Sequence, residues 1–157
     1  MSRLDAPPLS VHPFVRGMAD EHIARLSEVT RYIAVPARYR LFEEGGTADR
    51  LWLIEAGQVA LDLQIPGHGP LIIETLGRGE VIGWSWLFPP HQWQLGAVTM
   101  QPTQAFELDG RAVRGLLDAD PALGHELTSR FIAVLVHRLQ ATRIRLLDVY
   151  GRPEPAP

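Results

Sequence analysis

Three tryptophans, Trp84, Trp86 and Trp93, fall in a turn-rich run from Gly79 to Pro102 that contains no lysine or arginine. Large rings beside a few neutral polar groups can form a shallow apolar pocket for a flat or hydrophobic ligand. Ser85, His91 and Gln94 supply such groups. The competing reading is that the rings fill interior space, with Pro89-Pro90 stiffening the loop. Trp84 and Trp86 stand two residues apart, so they share a face in an extended segment and diverge in a helical turn. Exposed backbone N–H groups of such a loop can also meet an anion. Arg78, just before the run, is the nearest cation in the chain.

Other chemistry is poorly supplied. His12, His22, His68, His91, His125 and His137 are dispersed, without a His-x-His pair or a His-Glu-x-x-His helix, so no metal site is expected. Glu43-Glu44 reads as a charged turn, because acid/base carboxylates need convergence that adjacency does not supply. No serine stands in a nucleophile-elbow motif. The absence of cysteine excludes disulfides, thiolate zinc sites, a cysteine nucleophile and a cysteine-ligated cluster. The chain is expected not to be an enzyme.

The elements around the tryptophans are mainly β with flanking α. A helix is expected from about Ala19 to Thr30, with Asp20 and Glu21 at its positive end and Ile23, Leu26 and Val29 on one face. Short β-rich runs follow from Tyr32 to Leu108: Arg38–Phe42, Leu51–Ile54, Val59–Leu63 and Leu71–Ile73, separated by Gly45-Gly46, Ala56-Gly57 and Pro66–Pro70. Closely spaced strands of this kind form a sandwich or barrel. Gly45, Gly57, Gly79 and Gly83 are expected at turns that need positive φ or close backbone approach. Asp120-Pro121 then starts a helix, aspartate as N-cap and proline in the first turn. Leu123, Leu127, Phe131, Leu135 and Leu139 recur every four residues, Leu146 and Val149 extend the apolar surface, and Gly151 and Pro153 stop it. Running from Pro121 to Val149, the helix is roughly 43 Å long. One small barrel does not cover that length, so a partner helix is expected.

Gly79-Glu80-Val81-Ile82-Gly83 with Gly96-Ala97-Val98, and Leu41–Gly45 with Leu51–Ile54 and Gly57, resemble the cyclic-nucleotide-binding domain of the catabolite-activator and FNR regulator superfamily. Ordered patches run from about Phe14 to Gly151. The resemblance implies a double-stranded β-helix, or jelly roll, carrying a long C-terminal helix. It divides a single domain, 1–157, into an N-terminal helical part at about 12–31, a β-roll at 32–109 and C-terminal helices at 111–150. The family's cassette carries a glutamate for the ribose and an arginine for the cyclic phosphate. Here the glutamate position falls on Trp84 and the arginine position on Gln94 or Leu95. Charge-assisted hydrogen bonds supply much of that recognition, so tight binding of cyclic AMP or cyclic GMP is not expected. Gly83, Trp84, Ser85, Trp86, Gln94 and Leu95 remain the ligand-site positions. Arg138–Thr142 and Leu147–Arg152 look like the end of the family's dimer helix, with Thr142 where a hydroxyl reaches the base. An ordinary helical threonine instead bonds its own backbone. The resemblance implies a homodimer through Phe131, Leu135, Leu139 and Leu146.

At 157 residues, with 46% hydrophobic and 21% charged, the chain has the composition of one ordinary globular domain. All fifteen cationic residues are arginines, and the net charge of −3 gives no general attraction to nucleic acid. Arg130, Arg138, Arg143, Arg145 and Arg152 make the last helix locally basic; the plain reading is a solvated face near the helix's negative end. The family's usual helix-turn-helix would follow this helix. The chain ends Arg152-Pro-Glu-Pro-Ala-Pro, so direct DNA binding is not expected. No membrane span and no secretion signal is read, and a cytoplasmic location is expected. The leading functional expectation is a regulatory, effector-sensing module coupled to another protein. Its rivals are a constitutive interaction module with no small-molecule ligand and, more weakly, a cyclic-nucleotide-responsive transcriptional regulator.

Overall fold

Strand β3, Arg50–Ala56, shows why the chain folds into two layers: Leu51, Trp52, Leu53 and Ile54 are all buried, one face between the sheets and the other beneath the helices. A computed structural model describes residues 5–151. The other strands are β1 Thr30–Val35, β2 Arg40–Phe42, β4 Gln58–Ile65, β5 Gly69–Gly77, β6 Val81–Ile82, β7 Gly96–Thr99 and β8 Thr103–Asp109. They form two antiparallel four-stranded sheets, ordered β1-β8-β3-β6 and β2-β7-β4-β5. The non-consecutive neighbours and paired sheets are those of the expected jelly roll. Gly45, Gly57, Gly79 and Gly83 all take positive φ. At Gly57 the reason is proximity as well, because an added Cβ would lie 2.6 Å from the Pro102 carbonyl oxygen.

The helices lie against this roll. Helix α1, Asp20–Glu28, is shorter at each end than the expected Ala19–Thr30 span. Thr30 instead opens β1 opposite Leu108. Helix α2, Gly110–Ala119, packs on β3, β8 and α3, and Asp109 caps it by accepting from the Arg111 and Ala112 N–H groups. Helix α3, Pro121–Tyr150, runs 30 residues, with Asp120 accepting from Leu123 N–H at the expected cap. That bond, then the guanidinium of Arg25, holds the Asp120 carboxyl below its ordinary value.

The four-residue row on α3 does not stay on one side. Each step of four advances about 40° round the helix. Leu123, Leu127 and Phe131 are therefore buried against the chain's own core, Leu135 is half-buried, and Leu139 has turned outward. The outward apolar stripe is Ile132, Val136, Leu139, Leu146 and Tyr150, with Ile144, Leu147 and Val149 exposed beside it.

The N-terminal segment closes the other side of the core. After a single 3-10 turn at Leu9–Val11, His12 is wholly buried. Phe14 N–H donates to His12 Nδ1 at 3.2 Å, which places the imidazole proton on Nε2 for donation to the Ile54 carbonyl at 3.0 Å. Burial pushes the His12 pKa below its ordinary value of 6.5. The unfolded chain therefore binds a proton at His12 that the fold rejects. The neutral imidazole's contribution is fully present above pH 6.5 and declines as pH falls from there toward the depressed folded value. Thermal melts between pH 7.5 and 5 should show this loss, and a His12→Gln variant, which keeps a donor toward Ile54, should lack it.

Candidate functional site

The cassette begins where β6 ends. Gly83 has φ +90°, and a Cβ there would sit 2.9 Å from Trp93 Cη2 and 3.0 Å from the Arg50 carbonyl oxygen. Only glycine satisfies both demands. A Gly83→Ala variant should lose about 2 kcal/mol from backbone strain plus displacement of Trp93. Urea unfolding with an unchanged m-value would measure it; a loss below about 0.5 kcal/mol would show that the turn relaxes.

Beyond Gly83 the chain turns, Leu87 N–H donating to the Trp84 carbonyl at 3.0 Å. The two neighbouring tryptophans consequently diverge. Trp86 enters the core with no exposed surface, packs edge-on against Phe131 at 5.5 Å between centroids, and donates Nε1–H to the Gly83 carbonyl at 3.1 Å. Its carbonyl accepts from Arg114 on α2. Trp93 is also buried, stacked on Phe42 at 3.9 Å and tilted against Trp52 at 6.0 Å. Its backbone is tied to the β2–β3 loop through Gly45 and Gly46. Trp84 alone of the three is half-exposed.

What covers Trp84 comes from α3. The Arg138 guanidinium lies 4.5 Å above the Trp84 ring, within cation–π range. Arg138 is 8% exposed, and its Nη2 donates to the Val81 carbonyl of β6. Its Nη1 is buried without a hydrogen-bond partner among the described residues. Burial lowers the Arg138 pKa, opposed from a distance by Glu74 and Glu80. Those carboxylates are engaged elsewhere: Glu74 lies 3.5 Å from Arg145, and Glu80 accepts from Gly77 N–H at 2.7 Å.

Between cassette and helix lies a cavity of about 60 Å³, lined by Phe42, Leu61, Gly83, Trp84, Ser85, Trp93, Gln94, Leu95 and Arg138. Five of the expected ligand positions, Gly83, Trp84, Ser85, Gln94 and Leu95, thus meet at one wall. Trp86 points away from it into the core. Gln94 is exposed, its amide nitrogen 3.4 Å from the Gln92 carbonyl oxygen, and Leu95 is half-buried. Thr142 is not in the wall; its hydroxyl donates to the Arg138 carbonyl at 2.9 Å, the ordinary back-bond of a helical threonine. His91 pins the loop through its carbonyl, which accepts from Ala48 N–H at 2.7 Å.

The basic face expected on α3 is not uniformly solvated, and this corrects the sequence reading. Arg130 donates to the Phe14 and Arg16 carbonyls and meets Glu126, while Arg145 reaches the Ile73 carbonyl. Arg138 lies seven residues after Phe131, nearly two full turns, so it shares the core-facing side. That spacing was present in the sequence and identifies the buried cation, which a count of charges along the helix conceals.

Wider clefts lie nearby and elsewhere. One of about 360 Å³ runs behind Arg138 between Phe14, Glu80, Val81, Val134 and His137. Another of about 480 Å³ includes Arg31, Arg50 and Glu107, where the Glu107 carboxylate already accepts from Trp52 Nε1–H at 2.9 Å. Among the described residues no three histidine, aspartate or glutamate side chains converge as a metal site would require. No described helix is long and apolar enough to cross a membrane.

The sequence profile of the cyclic nucleotide-binding domain matches residues 33–120. A CRP-like cAMP-activated global transcriptional regulator of Mycobacterium tuberculosis is 25% identical over 134 residues, covering 85% of this chain. The chain spans 58% of the length of the curated relatives it matches. A cyclic nucleotide-binding domain from Methylobacillus flagellatus superposes with a TM-score of 0.76 at 26% identity, covering 87% of this chain and 77% of that one. Thermus thermophilus catabolite activator protein gives 0.66 at 24% identity, covering 88% and 63%.

Proposed function

This chain belongs to the cyclic nucleotide-binding domain family, and we propose that it acts there as a non-enzymatic, effector-sensing regulatory module with a degenerate cassette. The observation that carries this reading is the Arg138–Trp84 contact, which joins the long helix directly to the cassette wall. A ligand entering the cavity must touch or displace that pair, and so acts on α3. Helix and cassette then have two arrangements, and a ligand shifts between them by the difference of its affinities for each.

In this reading cyclic AMP and cyclic GMP are not tight effectors. Trp84 and Gln94 or Leu95 stand where the family places its carboxylate and cation, and they supply no charge. The cavity of about 60 Å³ is also well below the roughly 150 Å³ that accommodates a single benzene ring. A whole nucleotide does not fit within that space as Trp84 and Arg138 now stand.

The outward stripe of α3 gives the module its output. Ile132, Val136, Leu139, Leu146 and Tyr150 fall at the spacing of a helix-pairing seam, with exposed Arg143 at the position between Leu139 and Leu146, and a second copy of the chain covers them as a homodimer. Phe131 is spent on the chain's own core, so the seam is carried by Leu139 and Leu146 with Ile132 and Val136. The burial of Trp86 and Trp93 favours a second reading, in which the cassette is permanently filled and the dimer is a constitutive interaction module.

Spin labels at exposed Gln140 of each copy separate the two. A change in label separation on adding an effector that also changes tryptophan emission supports sensing. Unchanged separation and dimer affinity with every compound that binds supports the constitutive module.

A further inference from the structure

We infer that the cavity between cassette and α3 takes a compact oxyanion of carboxylate shape, gripped by the Arg138 guanidinium from the helix rather than by any residue of the cassette. This inference rests on the effector-sensing reading and specifies the chemistry of the effector.

The first support is charge. Among the described residues, Arg138 is the only ionisable side chain in the cavity wall. A buried cation is normally matched by a carboxylate or fully hydrogen-bonded. Here one terminal nitrogen donates to the Val81 carbonyl, and the other has no acceptor among the described residues. The nearest acidic groups are committed to Arg145 and to the Gly77 N–H. An anionic ligand in the cavity supplies the missing countercharge, and a small turn of the guanidinium brings its unpartnered nitrogen to it; charge-assisted bonds from a guanidinium to a planar oxyanion are the strong kind.

The second support is size. The internal space of about 60 Å³ suits a group of three or four heavy atoms. The third is the rest of the wall. Ser85 and Gln94 provide neutral donors, and the indole face of Trp84 places no negative group near the anion. Because Arg138 precedes the outward-facing Leu139 by one residue, drawing its guanidinium inward acts on the helix at the seam itself.

The test titrates the full chain with formate, acetate, nitrate and inorganic phosphate at constant ionic strength held with chloride, following tryptophan emission and heat. The expected result is saturation by formate, acetate and nitrate, with a dissociation constant on the order of 1 mM for so few atoms. Arg138→Gln and Arg138→Lys should each weaken formate binding at least about tenfold, the lysine losing the planar fork while keeping charge. If Arg138→Gln does not fold, Arg138→Lys carries the comparison.

No saturable response to formate, acetate or nitrate overturns the inference, whether or not phosphate binds, as does equal formate affinity in the wild type and Arg138→Lys. Saturation by neutral indole without anion binding also overturns it, yet leaves effector sensing intact. Anion binding that requires Arg138 but leaves the Gln140 label separation unchanged supports the anion site and contradicts the sensing reading.

Discussion

Trp86→Ala should lower stability by about 3–5 kcal/mol, a large fraction of the whole for a single domain. The ring has no exposed surface, meets Phe131 edge-on, and gives its Nε1–H to the Gly83 carbonyl, so removal leaves a cavity and an unpaired acceptor together. Neighbouring groups cannot close in easily. Gly110 already sits so near that an added methyl would lie 2.9 Å from Trp86 Cβ, and Arg114 holds the Trp86 carbonyl from α2. Trp84→Ala, two residues earlier, should cost less than about 1.5 kcal/mol, because that half-exposed ring is covered by one guanidinium. Urea unfolding of both variants measures the contrast. Equal losses would mean that Trp84 is also a core residue.

Leu139→Glu should weaken self-association at least about 100-fold, or about 2.7 kcal/mol, because pairing the helices would bury two like charges in place of two leucines. Leu139 is 51% exposed in the single chain, so the fold itself should survive with unchanged circular dichroism. Sedimentation equilibrium at micromolar concentration should show wild-type dimer and variant monomer. A monomeric wild type, or a variant that stays dimeric, would remove the seam from the account. Phe131→Glu would not test the same thing, since Phe131 packs on Phe14 at 4.9 Å and on Trp86. Its loss would unfold the chain before it dissociated a dimer.

The contrast between Leu139 and Phe131 marks what the sequence conveys and what it conceals. Strand runs, glycine turns and the Asp120-Pro121 helix start follow from local chemistry and occur close to where the spacing places them, except that the run expected from Arg38 begins at Arg40, because Arg38 takes φ 62° in the preceding turn. The i,i+4 leucine row reads as one seam in the sequence, yet its slow rotation divides it between core and surface. The cassette glycines announce the loop, but Trp84 and Trp86 have the same residue type in the same segment, and only the turn at Leu87 sends one outward and one inward. Arg138 is the furthest from view. A cation on a basic helix reads as solvated until the two-turn separation from Phe131 places it on the buried face. Its role depends on Val81 and Trp84, 57 and 54 residues earlier, and no local pattern encodes those contacts.

Calorimetric titration of the protein with cyclic AMP and cyclic GMP, with tryptophan emission followed in parallel, decides whether the cassette without its charged pair still holds a nucleotide. No saturable heat at micromolar nucleotide and no change from Trp84 are expected. Submicromolar, saturable binding of either nucleotide would contradict that expectation, showing that Trp84 and Arg138 open to admit a nucleotide without the cassette's usual charges.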